Sequence, residues 1–149
     1  MKSYIFDTNI FNHITDDKDI DITPLYKIKC FVTHIQYDEI QQTTDNTRRS
    51  RLDKVFFLLP QKEIPTLSAV YGISRYGKAK YGNGELFKKM LESLNKKNKN
   101  KPNNRKDILI AETAFANQLT LVTHDIDLYS VMTKCGGASC NLYHLLTTE

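Results

Sequence analysis

The stretch Ser3–Phe11, "SYIFDTNIF", sets a carboxylate, Asp7, straight after an apolar run that reads as a buried strand. An ionised carboxylate beside a core is costly unless a cation, a metal or hydrogen bonds replace the lost water. One reading makes Asp7 the N-cap of a helix beginning near Thr8, a position that Asp favours. The other makes it a working group at a strand end. The rest of the chain weighs on that choice.

Outward from this stretch, strand-like and helix-like segments alternate. "KIKCFVTH" (27–34) and "LTLVTHD" (119–125) carry the β-formers of buried strands. "IQYDEIQQTT" (35–44), "TRRSRLDKVFFLLP" (47–60), "ELFKKMLESLNKK" (85–97) and "KDILIAETAFANQ" (106–118) read as helices, the second of them stopped by Pro60. "IDLYSVMTKCGG" (126–137) reads as a helix ended by Gly136 and Gly137. A short strand and turn is expected over 63–72, a glycine-rich loop over 74–84, a polar loop over 95–106 and a last strand over 140–146. The alternation predicts an α/β fold with a parallel sheet covered on both faces.

At 149 residues the chain fits one domain, 1–149. No apolar run approaches the ~18 residues of a membrane span, and an acid follows the amino terminus too soon for a secretory signal. Three cysteines without a disulfide framework point to a reduced, cytoplasmic protein with no membrane partner. The net charge of +4 hides a partition. Residues 48–106 hold 16 of the 21 basic and 4 of the 17 acidic side chains, a net of +12 against −8 elsewhere. Such asymmetry suits a polyanionic partner, although a merely solvated middle region would look similar.

The acids recur near predicted strand ends. Asp7 follows the first strand, Glu39 lies on the helix after the second, Asp107 opens the alanine-rich helix, and Asp125 and Asp127 follow "LTLVT". In open parallel sheets ligands gather beyond the carboxyl ends of the strands. Asp107 shares a helical face with Ile110, Ala111, Ala114 and Phe115, so it faces the sheet. The plainer alternative is a first-turn acid favoured by the helix dipole. Converging carboxylates raise one another's pKa, and a hard divalent cation, Mg²⁺ or Mn²⁺, relieves them. The four histidines form no H-x-x-x-H pair, which disfavours a zinc hydrolase.

"YIFDTNIF", "FVTHIQYDEI", "DILIAETA" and "LVTHDIDL" resemble, in order and spacing, the four acidic motifs of PIN-domain nucleases, most closely the toxin ribonucleases of VapBC-type toxin–antitoxin pairs. The resemblance implies a three-layer α/β/α sandwich around a mostly parallel sheet, and Mg²⁺- or Mn²⁺-dependent cleavage of RNA. It assigns metal-binding and catalytic roles to Asp7, Glu39, Asp107 and Asp125, and supporting roles to Asn9 and Thr123. Asp127 is either a further ligand or a cap of the next helix, with the cap favoured. An antitoxin partner and a homodimer follow from the same resemblance. The basic insertion 72–106 departs from the family pattern.

Cations of the basic region, Arg48, Arg49, Arg51, Lys96, Lys97 and Lys99, are expected to bind RNA phosphates. Tyr71, Tyr76 and Tyr81 either stack on bases or pack in a core. Two rivals stand beside this reading. A phosphotransferase with Asp7 as nucleophile lacks its second acid, because Asn9 occupies that place. A non-catalytic RNA- or partner-binding module of the same fold has no reason to keep four acids.

Overall fold

A computed structural model describes residues 2–68 and 84–147. Tyr71, Tyr76 and Tyr81, with most of the expected glycine-rich loop, lie outside the described residues. The elements run β1 (Ser3–Phe6), α1 (Thr8–Asp16), a 3₁₀ turn (Thr23–Lys27), β2 (Lys29–Val32), α2 (His34–Gln41), α3 (Asn46–Leu58) and β3 (Gln61–Glu63). They continue as α4 (Glu85–Asn98), α5 (Asn104–Ala116), β4 (Thr120–Val122), α6 (Ile126–Lys134), β5 (Ser139–Cys140) and α7 (Leu142–Thr147). The five strands pair in parallel throughout, in the order β3-β2-β1-β4-β5.

Side chains alternate across a strand, so the short β1 feeds both layers. Phe6 packs with Ile10, Phe11, Leu52, Phe56 and Leu142 on the side of α1, α3 and α7. Ile5 packs with Met90, Leu94, Ile108, Leu128 and Val131 on the side of α4, α5 and α6. The result is the expected three-layer α/β/α arrangement. No helix among the described residues is long and apolar enough to cross a membrane.

Three elements differ from expectation. Residues 142–147 form a helix rather than a last strand, because Leu142 and Leu145 enter the core at helical spacing and the Asn141 side chain accepts from His144 N–H at 2.9 Å. Only Ser139–Cys140 joins the sheet. The edge strand β3 starts at Gln61, before the expected stretch, and its polar sequence "QKE" carries no hydrophobic alternation to announce it. In the polar run before α5, the helix α4 continues to Asn98. The paired glycines do end α6. Gly136 takes φ +88, and a Cβ on Gly137 would stand 2.6 Å from Met132 Cε.

The strand order puts the topological switch between β1 and β4, since the chain moves to β2 and β3 on one side of β1 and to β4 and β5 on the other. Ligand crevices form at such points. Gln36, fully buried on α2, ties the carboxyl ends of β1 and β2 together. Its Nε2 donates to Phe6 carbonyl oxygen at 2.9 Å, and its Oε1 accepts from Thr33 N–H at 2.8 Å and Thr33 Oγ1 at 2.7 Å. Gln36→Leu strands these buried groups, so chemical denaturation should find a loss of about 2–3 kcal/mol. A loss under ~0.5 kcal/mol, within the range of an ordinary surface change, would remove Gln36 from this role.

Candidate metal centre

Asp7 extends β1 by one residue, its N–H donating to Val122 carbonyl oxygen at 2.9 Å. It occupies the N-cap position of α1 yet makes no side-chain capping bond. Its carboxylate turns instead across the switch, where Thr123 Oγ1 donates to Oδ2 at 2.8 Å. Asn9 steadies this pair from α1. Its Nδ2 donates to Thr123 Oγ1 at 3.3 Å, and its Oδ1 accepts from His124 N–H at 3.4 Å. Glu39 arrives from α2 and accepts from Thr8 Oγ1 at 2.8 Å. Asp125 starts α6, with Oδ1 accepting from the N–H groups of Asp127 and Leu128. Asp107 sits in the first turn of α5.

Charge links these groups. Burial pushes Asp7 up to about 7, and the charges of Glu39 and Asp125 add to the rise against the Thr123 and Thr8 hydrogen bonds. Burial pushes Asp107 up to about 9, helped by Asp7, Glu39 and Asp125 and opposed by Lys106. Glu39 is raised by burial, with Thr8 and Lys106 acting the other way. Four carboxylates from four separate segments thus stand within reach of one another's charge near the β1/β4 switch.

The donor set suits a hard divalent cation, being all oxygen, largely withdrawn from water and short of positive charge. Among the described residues, however, no three His, Cys, Asp or Glu groups are already drawn around one point. Like charges hold apart, and Mg²⁺ needs only one or two carboxylates beside its waters and substrate phosphate. An open hollow lined by Tyr4, Pro24, Ile28 and Leu145 lies at the amino ends of the strands, the opposite edge, and includes none of the four acids.

The other expected residues divide. The capping role expected of Asp127 belongs to Asp125, and the Asp127 charge falls on Lys97 of α4. Lys96, Lys97 and Lys99 end α4 beside the start of α5, where Asn104 bonds Asn95 and Asn98 at 2.7 Å. Lys97 contacts Lys134, which lowers its pKa. Arg48 is engaged elsewhere, in an ion pair with Asp16 and a 3.1 Å bond to Asn12 Oδ1. Arg49 bonds Asn46 Oδ1 at 2.8 Å, and Arg51 is exposed on α3. Thr8, Gln36 and Lys106 were not singled out from sequence. Thr8 stands inside "FDTN" beside a recognised acid, which was signal enough; Gln36 and Lys106 act through contacts across distant segments.

The raised carboxyls bear on stability. Between the ordinary Asp value of 3.8 and the folded values near 7 and 9, the folded protein holds more protons than the unfolded chain. Stability therefore falls as pH rises through that window and levels off above it. Thermal melting in chelator should show a falling Tm from about pH 5 to pH 9. Asp107→Asn should flatten the slope and raise Tm at pH 8, and Mg²⁺ or Mn²⁺ should raise wild-type Tm there. A Tm that climbs with pH would contradict the assignment.

No protein-family model matches the chain, and no curated protein matches it. Solved structures do. VapBC2 from Rickettsia felis, bound to a DNA fragment from their promoter, aligns at TM-score 0.58 and 20% identity, covering 93% of this chain and 97% of that one. PAE2754 from Pyrobaculum aerophilum aligns at 0.55 and 16% identity, covering 97% and 94%. FitAcB from Neisseria gonorrhoeae aligns at 0.51 and 15% identity, covering 95% and 99%. At these identities the likeness establishes the fold: the chain is built as a PIN-like α/β/α sandwich.

Proposed function

We propose that this protein is a Mg²⁺- or Mn²⁺-dependent endoribonuclease of the PIN-domain class, acting as the toxin of a toxin–antitoxin pair. The carrying observation is the neighbourhood of Asp7, Glu39, Asp107 and Asp125 at the strand-order switch, where the charges of Glu39 and Asp125 fall on Asp7 and those of Asp7, Glu39 and Asp125 fall on Asp107. The order of the four acidic motifs and the fold shared with VapBC2 support the class. The toxin role rests on the same two supports.

Asp7, Glu39, Asp107 and Asp125 would hold the ion. The bound ion supplies an acidified water and neutralises charge on the phosphate. Thr123 and Thr8 keep Asp7 and Glu39 in their orientations through single hydroxyl donors, and Asn9 keeps Thr123 in place. Lys106 lies within 3.5 Å of Gln42 Oε1 and lowers the pKa of both Glu39 and Asp107. Among the described residues it is a cation suited to meet a phosphate at this edge. Lys96, Lys97 and Lys99 would extend that contact along the strand, giving affinity that weakens with salt. No covalent protein nucleophile is needed. An antitoxin partner would act by covering this acidic edge.

Asp7→Asn and Asp107→Asn should each reduce Mn²⁺-dependent cleavage of RNA at least ~100-fold, consistent with loss of transition-state electrostatic stabilisation. Lys106→Ala should lower it less and flatten its salt dependence. Folded variants that cut as fast as wild type would exclude these residues from the chemistry. A native protein that binds no Mn²⁺ in calorimetry would favour the non-catalytic module.

A further inference from the structure

Next to the carboxylates lies a second cluster that the proposed chemistry leaves unused. It joins His13 from α1, His124 from the turn after β4, and Tyr143 from the first turn of α7. The two imidazoles lie 4.5 Å apart between centroids at 36°. Tyr143 stands edge-on to both, at 5.5 Å and 5.6 Å, with its hydroxyl 2.7 Å from His13 Nε2.

The cluster is wired to the site. His124 N–H donates to Asn9 Oδ1, Asn9 donates to Thr123, and Thr123 donates to Asp7. His124 is also the residue before Asp125. Tyr143 belongs to neither apolar core. Tyr143 is 47% exposed, and Ile126 and Tyr129, just past Asp125 on α6, are 82% and 44% exposed. Packing for stability accounts poorly for this arrangement, because His124 Nε2 is buried with no hydrogen-bond partner, a cost of the kind found where function decides.

We propose that His13, His124 and Tyr143 form a stacking subsite for one unpaired nucleobase of the strand whose phosphate lies over the carboxylates. Every base offers a π-face to an aromatic ring, whereas the bases of a duplex are already stacked within it. The inference rests on the nuclease reading and deepens it. The anionic backbone cannot sit on the acidic edge without a cation, so Lys106, together with an ion that the four acids would hold, would meet the phosphate while the aromatic cluster holds the adjoining base.

The test uses the full chain with its four acids intact, in Ca²⁺ in place of Mg²⁺ or Mn²⁺ so that a hard cation is supplied while cleavage is suppressed. Binding of a short fluorescein-labelled single-stranded RNA is followed by anisotropy, beside the same strand with abasic sugars and beside its duplex. Tyr143→Ala should weaken binding to the intact strand between about fivefold and 150-fold and leave abasic and duplex binding where they were. Tyr143→Phe should rescue it, and Tyr143→Leu should not. Equal binding of the intact strand by Tyr143→Ala and Tyr143→Leu, or equal loss on the abasic strand, overturns the subsite. If wild type cleaves RNA in that case, the nuclease reading survives alone. If wild type neither binds nor cleaves any RNA, that reading falls and the subsite falls with it.

Discussion

Repulsion on two carboxylates withdrawn from water, Asp7 and Asp107, is the constraint around which the carboxyl edge is built. Asp7 is 3% exposed and faces the charges of Glu39 and Asp125. A protein core tolerates such a group only if hydrogen bonds, protonation or a cation offset the loss of water. Here the local compensation comes from neutral donors: Thr123 to Asp7, Thr8 to Glu39, and backbone N–H groups to Asp125. These are enough to orient the oxygens and too weak to cancel the charge. What remains is an anionic site whose charge is eased by protons on Asp7 and Asp107 and by Lys106, and which a cation would balance further.

The fold serves that imbalance by rigidity. The strands are short, and β1 has a single residue of surplus, Asp7, which still bonds Val122 on the neighbouring strand. Gln36 locks the ends of β1 and β2 through three bonds at 2.7–2.9 Å. The amide group of Asn95, Asn98 and Asn104 pins the end of α4 to the start of α5 and so fixes where Asp107 begins. Asp7, Glu39 and Asp107 are thus carried on elements held by buried or part-buried polar contacts close to them.

Charge is laid out across the same edge in sequence order of distance, not of residue number. Lys106 borders Glu39 and Asp107 on the side of α2 and α5. The histidine–tyrosine cluster borders Asp7 and Asp125 on the side of α1 and α7. Arg48, although in the basic stretch, is spent on Asp16 and Asn12. Composition counts all cations alike, whereas a partner meets only those left open at the right edge.

The sequence by itself determined the class of fold, because alternating apolar β-runs and amphipathic helices leave few ways to bury both faces of a parallel sheet. It also determined which acids would stand near strand ends, since Asp7 and Asp125 directly follow buried runs and Asp107 heads a small-residue helix face. It misjudged "CNLYHLL", where two leucines at helical spacing outweigh β-formers, and it passed over the polar edge strand β3. Only the tertiary structure decided that Asp7 bonds Thr123 instead of capping its own helix, and that Asp125 is the cap where Asp127 was expected. It alone brought Lys106 to Glu39, Gln36 to Phe6 and His13 to Tyr143. Local pattern records which face of an element is apolar; contacts between residues 30 to 130 positions apart depend on how those faces dock, and that information is spread over the whole chain.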